Sequence, residues 1–203
     1  MPIRVISGRA KGRRLRMVPG DSTRPIMDRV KEALFNILGT GIPGCTFLDL
    51  FAGTGSVGIE ALSRGAARVL FIDNKRLAIR TIHENLASTR LAANAEVLRT
   101  DALVYLQRPE PEPFEYIYVA PPQYAGLWKD ALLALDAHPD HLHPDGVVIV
   151  QIDPDEHEPV PLETLRPYDE RTYGNTRLLF FERPALEDAA DGEQNEQDEA
   201  QND

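Results

Sequence analysis

The feature that most constrains this chain is an apolar segment that ends at a carboxylate and runs through glycines into a helical pattern. Residues Thr46 to Leu50 have the pattern of a buried strand and include Asp49, and the glycine series Gly53-x-Gly55-x-x-Gly58 follows. Glycines in such a turn allow positive φ and let backbone N–H groups approach a ligand at the positive end of a helix. The sequence therefore predicts a strand, a tight ligand-binding loop and a helix in succession.

Three strand-like segments each end close to an aspartate. Asp49 ends the first, Asp73 follows residues 69–72, and Asp101 follows residues 96–99. A carboxylate beside the glycine loop disfavours a pyrophosphate and favours a cationic ammonium group, such as the methionine end of S-adenosylmethionine (AdoMet). The second acid suits the two hydroxyls of a ribose, and the third suits the edge of an adenine. We therefore predict one AdoMet site along these strand ends.

Two other interpretations of this segment stay open. The glycine spacing also matches the dinucleotide-binding fingerprint of a nicotinamide oxidoreductase, although Asp49 opposes that assignment. Each aspartate could instead only cap the helix that follows its strand. The acids and the glycines together favour the cofactor site, to which we also assign the neighbouring residues Phe51, Asn74 and Ala102.

Length and composition restrict the class of protein. At 203 residues the chain is long enough for one domain with a full core. The sequence has no signal segment and no apolar run of eighteen residues, so we expect a cytoplasmic protein that does not bind a membrane. Cys45 is the only cysteine, and this excludes an intramolecular disulfide. The histidines from His138 to His143 are interpreted as exposed polar residues, so we expect no metal.

Charge is distributed unevenly along the chain. The net charge is −10, yet residues 1–31 hold nine Lys or Arg against two acids, a local charge of +7. Residues 185–203 hold eight acids and no base, and with so few apolar residues we expect this segment to be disordered. A basic head on an acidic protein predicts polyanion binding. The residues that we assign to this surface are Arg4, Arg9, Lys11, Arg13, Arg14, Arg24 and Arg29.

The periodicity of apolar residues predicts five alternating strand and helix units followed by a hairpin. The predicted strands cover residues 46–50, 69–72, 96–99, 114–119 and 147–152, and the hairpin covers 164–173 and 177–182 around Gly174-Asn175. Short strands are also expected near Ile3 to Ile6. This order predicts an α/β protein with a mostly parallel sheet covered by helices on both faces.

Several segments together resemble the RsmD family. They are Arg4-x-Ile6-Ser7-Gly8, Lys11-Gly12-Arg13, Thr23-Arg24-Pro25, Asp28 to Leu38, Leu48 to Gly55 and Glu60 to Ala66. The N-terminal segments are the more specific ones, because all class I methyltransferases share the glycine loop. The resemblance runs from Arg4 to about Glu182. It implies an enzyme that uses AdoMet to methylate a guanine N2 of small-subunit rRNA, either as RNA or in an assembly intermediate, and we expect a monomer.

The resemblance also implies a fold and a set of cofactor contacts. The fold is that of a class I methyltransferase, a Rossmann-like, seven-stranded and mostly parallel sheet whose C-terminal hairpin makes one strand antiparallel. The contacts to AdoMet are those of Asp49, Gly53, Gly55, Asp73 and Asp101. We divide the chain into a basic N-terminal extension (1–24), an AdoMet-dependent methyltransferase domain (25–184) and an acidic tail (185–203).

The chain departs from the family after the fourth strand. The family usually shows Asp-Pro-Pro-Tyr there, and this chain has Ala120-Pro121-Pro122-Gln123-Tyr124. A guanine amine is a poor nucleophile, so an acceptor that holds its N–H bonds assists transfer. We expect the carbonyls of Ala120 and Pro121 and the amide of Gln123 to replace the carboxylate, and Tyr124 to stack on a flipped base. The alternative is a binding module that keeps AdoMet and RNA affinity with weak or no turnover, because Ala120 lacks an acceptor.

Overall fold

The computed structural model describes residues 3–20 and 26–184. The predictions for Arg24 and for the acidic segment 185–203 therefore lie outside the described residues. Within those two ranges, no helix is long and apolar enough to cross a membrane.

The described residues form five α-helices and seven strands in one sheet. The helices are α1 (Asp28–Leu38), α2 (Ser56–Arg64), α3 (Arg76–Thr89), α4 (Ala102–Leu106) and α5 (Leu127–Ala137). The strands are β1 (Thr46–Asp49), β2 (Arg68–Asp73), β3 (Ala95–Arg99), β4 (Phe114–Val119), β5 (Leu142–Ile152), β6 (Arg166–Tyr173) and β7 (Thr176–Glu182). The strand order is β3-β2-β1-β4-β5-β7-β6, with β1 to β5 parallel and β7 antiparallel to both of its neighbours. The expected mostly parallel sheet with an antiparallel C-terminal hairpin is confirmed.

Helices cover both faces of the sheet because its central strands are apolar on both sides. Phe47 points into a core shared with α1, α2 and α3, whereas the next residue, Leu48, points into a second core shared with α4 and α5. This alternation follows from the pleat of a strand. Helices therefore cover both faces of the sheet, and the space left for a ligand lies at the ends of the strands.

The basic N-terminal segment packs into the first of these layers. Its apolar residues are buried in the same core as α1 to α3, and they are Ile3, Val5, Ala10 and Leu15. The short strands expected there are reduced to one antiparallel bridge between Arg4 and Arg14, with backbone hydrogen bonds on either side. The arginines alternate with the apolar residues and face solvent.

A buried ion pair fixes this segment to α1 and α2. The Glu60 carboxylate is fully buried and accepts hydrogen bonds from the backbone N–H groups of Ile6 at 2.7 Å and Ser7 at 2.9 Å. It lies 3.4 Å from Nζ of Lys31, which is also buried and donates to the Arg4 carbonyl at 2.7 Å. Burial lowers the pKa of Lys31, and the Glu60 charge opposes that shift. Two charges that would be costly alone are thus paired and hydrogen-bonded.

Two local predictions differ from the structure. β5 begins at Leu142 rather than at residue 147, because a register shift in its ladder lets Leu142 pair with Phe114. The expectation that the histidines are exposed was wrong for His141, which is fully buried. Its Nε2 lies 3.0 Å from the carbonyl oxygen of Leu106, and its ring packs against Tyr105 with centroids 5.4 Å apart.

Candidate functional site

A cavity of about 590 Å³ lies at the carboxyl edge of the parallel strands. The strand order reverses there between β1 and β4, and such a switch point is where ligand crevices form in open parallel sheets. The wall includes Asp49, Asp73, Tyr118 and Gln151, from the ends of β1, β2, β4 and β5. Its volume is in the range of cofactor sites.

Most of the predicted cofactor residues lie in the wall of this cavity. They are Asp49, Phe51, Gly53, Asp73, Asn74, Asp101 and Ala102. Gly53 has a φ of +52°, and no atom lies within 4 Å of where its Cβ would be, so its backbone is open to a ligand. Gly55 is not in the wall. Its φ is +75° and a Cβ there would lie 3.3 to 3.4 Å from Ile82, Ile59 and Phe71, so it serves the turn and the core.

Asp49 is the buried carboxylate of the site. It is 2% exposed, and its Oδ2 accepts the N–H of Gly58, in the first turn of α2, at 3.0 Å. Burial raises the pKa of Asp49 to about 7; the hydrogen bond from Gly58 opposes this shift, and the nearby Asp73 charge adds to it. A cationic group in the cavity would favour the ionised form of this carboxylate.

Asp73 and Asp101 hold the local backbone as well as lining the cavity. Asp73 accepts the N–H of Gly53 at 2.9 Å with one oxygen and that of Lys75 at 2.8 Å with the other. Asp101 caps α4, because its Oδ1 accepts N–H groups of the first turn at 2.9 and 3.2 Å. A carboxylate has about four acceptor positions, so capping and ligand binding are compatible. Asp101 thus does cap the helix that follows its strand, as the alternative interpretation predicted, and Asp73 holds the backbone next to its strand. Both side chains also lie in the cavity wall.

The segment after β4 forms the facing wall of the cavity. Four of the five predicted catalytic residues line it, and they are Ala120, Pro121, Pro122 and Gln123. Tyr124 is not in the wall; it is 70% exposed and its φ is +60°. Tyr124 directly follows Gln123 in the chain and precedes Leu127, and both of these residues line the cavity.

Several wall residues were not predicted, among them Tyr118 and Gln151. Tyr118 is buried, and its hydroxyl donates to the Gln151 side-chain oxygen at 2.5 Å. Burial, and then the Asp49 charge, raise the pKa of Tyr118, so it remains a donor. Both residues lie at the carboxyl ends of parallel strands. Ligands bind at these ends in open parallel sheets, so the predicted strand ends could have identified both residues. Ile26 enters the wall from the segment before α1, and it carries no such signal.

The predicted basic surface lies mostly away from the cavity. Arg9 donates to the Leu62 carbonyl and Arg13 to the Ser88 carbonyl, both at 3.3 Å, so these arginines hold the C-terminal ends of α2 and α3. At about 1.5 Å per residue, those ends lie roughly 13 and 20 Å from the ends that face the cavity. The other described members of the set are Arg4, Lys11, Arg14 and Arg29, and all are exposed.

Comparison with known proteins was made by sequence and by structure. A family model described as Conserved hypothetical protein 95 matches residues 3–182. The chain is 38% identical to YlbH of Bacillus subtilis strain 168, over 89% of this chain and 99% of that protein. It is 31% identical to Ribosomal RNA small subunit methyltransferase D of Escherichia coli K12, over 90% and 91%. The solved structure of yhhF from Escherichia coli matches with a TM-score of 0.79 at 32% identity, covering 92% and 100%.

Proposed function

The chain belongs to the RsmD family, and from this premise we propose that it transfers a methyl group from AdoMet to the exocyclic amine, N2, of a guanine in small-subunit rRNA. One observation carries the proposal: the three strand-end aspartates and the segment after β4 line the same cavity. A donor held by the acids would therefore face the residues that hold the substrate. The name of the Escherichia coli relative supports the class of RNA.

The residues in the cavity fit AdoMet. Ionised Asp49 would pair with its ammonium group, and Asp73 keeps acceptor capacity for the ribose hydroxyls. Asp101, Phe51 and Ala102 would border the adenine with one polar and two apolar groups. AdoMet supplies a methyl group activated by its positive sulfur. The protein binds and orients that group, and excludes water from it.

The segment after β4 would hold the guanine amine. Pro121 and Pro122 have no N–H, so their stretch of backbone offers carbonyl acceptors without competing donors. Acceptors that hold the N–H bonds of the amine help its lone pair to point at the methyl group. The amide oxygen of Gln123 is a further acceptor in the wall. We assign to these groups the role that the missing carboxylate has in the family.

RNA docking is proposed for cations that remain exposed. Lys11 and Arg14 have no ion-pair partner among the described residues, and most of the protein outside residues 1–31 is acidic and should repel a polyanion. They lie near the far ends of α2 and α3, so they would hold RNA that flanks the target. Arg29 is three residues from Ile26 of the cavity wall and would act closer to the base.

The experiment that tests the proposal is methyl transfer to small-subunit RNA and to small subunits isolated from cells that lack this gene. We expect the wild-type protein to produce N2-methylguanosine, identified by mass spectrometry of nucleosides. A different methylated nucleoside would contradict the proposed position of transfer.

The binding-module alternative is tested by restoring the family pattern at Ala120. The variant combines Ala120→Asp with deletion of Gln123. If the carbonyls suffice, the wild type is active and the restored pattern raises its rate by less than about tenfold, or 1.4 kcal/mol. If the protein is a binding module, the wild type binds AdoMet and RNA without transfer, and only the restored variant is active.

A further inference from the structure

The segment between β4 and α5 holds an exposed tyrosine in a strained backbone conformation. Tyr124 has a φ of +60°, where a bulky residue is an outlier and glycine or asparagine is favoured. The other non-glycine residue with positive φ in the described ranges is Arg90, which ends α3 as its C-cap. Tyr124 ends no helix. Strain of this kind persists where neighbouring contacts impose it, and it clusters at functional sites.

The contacts that impose this conformation come from the segment after β5. Oε2 of Glu156 accepts the N–H of Tyr124 at 2.7 Å, and its Oε1 accepts the N–H of Asp153 at 3.3 Å. The Asp153 carboxylate in turn accepts the N–H of Asp155 at 3.1 Å. Burial, and then the nearby Asp153 charge, raise the pKa of Tyr124. One carboxylate, that of Glu156, thus ties the segment after β4 to the segment after β5.

Tyr124 belongs to a segment that borders the cavity. Its neighbours Gln123 and Leu127 are in the wall, while Tyr124 itself is 70% exposed. Its backbone N–H is anchored by Glu156, which limits the positions that the ring can take. An aromatic face presented in this way suits stacking by a nucleobase. The acids around it disfavour a phosphate, so a base rather than the RNA backbone would make this contact.

We infer that Glu156 is a positioning residue for the RNA substrate, because it holds Tyr124 at the cavity mouth where the ring stacks on a base. The inference rests on the proposed function for the identity of the ligand. It gives Glu156 no contact with the cofactor, so AdoMet affinity is independent of this side chain.

The test is a double-mutant cycle with Tyr124→Ala and Glu156→Ala, read on affinity for small-subunit RNA. Tyr124→Ala should weaken RNA binding by about 5- to 150-fold, the range for one stacked base. Glu156→Ala should weaken it in the wild-type background and add no further loss in the Tyr124→Ala background. The matched control is Glu158→Ala, which removes the same charge from the same segment by breaking the pair with Lys129 and should not weaken RNA binding.

Further measurements keep the result interpretable. AdoMet affinity should match the wild type in every variant, and every variant should remain folded at the assay temperature even where the lost Glu156 acceptor lowers its melting temperature. Glu156→Gln, which keeps one oxygen acceptor, should recover part of the RNA affinity. That recovery is a result that general misfolding would not give. Additive losses in the cycle, or no loss in Glu156→Ala, overturn the inference. Absence of RNA binding by the wild type overturns both proposals. If the wild type binds RNA without methyl transfer, only the proposed activity is contradicted, and the double-mutant cycle still tests the role of Glu156.

Discussion

Asp49 shows how one carboxylate can serve both the fold and a ligand. It holds the N–H of Gly58 at the start of α2, and its burial raises its pKa to about 7. Without a cation beside it, this carboxyl is about half protonated at neutral pH, whereas an ammonium group beside the carboxylate favours release of the proton. Binding of the cation and loss of the proton are therefore thermodynamically coupled.

We predict that AdoMet affinity rises with pH up to about 7 and then levels off. Below this pKa the proton must leave Asp49 before the ammonium group can pair with it, which weakens binding by up to about tenfold per pH unit. Calorimetric titration from about pH 5.5 to 7.5, in buffers of different ionisation enthalpy, measures both the affinity and the proton released.

The matched variants for this prediction are Asp49→Asn and Asp49→Ala. Asparagine keeps an acceptor for Gly58 and removes the charge, so it should lose about 1.5 to 3 kcal/mol of AdoMet binding together with the pH dependence. Alanine also loses the acceptor, so its melting temperature should fall as well. Unchanged AdoMet affinity in the asparagine variant would assign the ammonium group to another partner.

The loop between β1 and α2 shows that the glycines of one fingerprint have different functions. Gly53 borders open space at the cavity, and Gly55 is the left-handed N-cap of α2. Gly58 packs against β2, since a Cβ there would lie 2.3 Å from Cε1 of Phe71 and 2.9 Å from Cγ1 of Val69. Only the first of these positions can be explained by a ligand.

We predict that Gly58→Ala lowers stability by about 1 to 3 kcal/mol and changes AdoMet affinity less than Gly53→Ala does. The Phe71 ring is fully buried and cannot move aside, and this overpacking outweighs the better helix propensity of alanine. Gly53→Ala is the contrasting variant, because its added methyl group meets no protein atom within 4 Å but borders the space that the cofactor would use. Its φ of +52° costs a side chain about 1 to 2 kcal/mol, so AdoMet affinity is the measurement that distinguishes it from Gly58→Ala. Urea unfolding and AdoMet titration separate the two, and an unchanged unfolding midpoint for Gly58→Ala would contradict the packing argument.

The element order of this protein was predictable because its signals are local. Each signal lies within a few residues: the strand and helix periods, the glycine turns and the Gly174-Asn175 hairpin. Parallel strands then bring their terminal aspartates to one edge of the sheet. The start of β5 was missed because Pro144 and Gly146 look like a loop, while its pairing with Phe114 is tertiary. The hydrogen bond between Tyr124 and Glu156 joins residues 32 positions apart, so no local pattern predicts it.

On the scale of the whole molecule, the N-terminal segment belongs to the fold as well as to the proposed RNA surface. We predict that Glu60→Ala destabilises the protein by about 3 to 5 kcal/mol, because it removes the counter-ion of the buried Lys31 and of Arg64 together with the acceptor of two backbone N–H groups. Urea unfolding measures the loss. Lys31→Met should recover part of it in the Glu60→Ala background, and additive losses would contradict the pairing.

The proposed RNA surface is best tested with exposed cations whose side chains make no hydrogen bond or ion pair within the described residues, because their removal should not destabilise the fold. Lys11→Ala with Arg14→Ala meets that condition, whereas Arg13 holds the end of α3. If both cations reach phosphates, the slope of log affinity against log salt should become about 1.4 units shallower, at roughly 0.7 per contact with single-stranded nucleic acid. Arg171→Ala is the control, since this exposed arginine pairs with Asp169 on β6, the edge strand at the opposite side of the sheet from β3. An unchanged slope in the double variant would place the RNA elsewhere, and AdoMet affinity should stay constant throughout.

Because β7 lies between β5 and β6, the parallel strands keep an unpaired edge until the last part of the chain has been synthesised. Val148, Ile149 and Val150 are fully buried in the finished sheet, and thirty residues separate the end of β5 from the end of β7. At about 5 to 20 residues per second, this edge stays open for roughly 2 to 6 s of translation. An open apolar edge pairs readily with other chains. A chain that stops before Thr176 would contain every strand that borders the cavity, and aggregation rather than a missing cofactor site is the defect to expect from it.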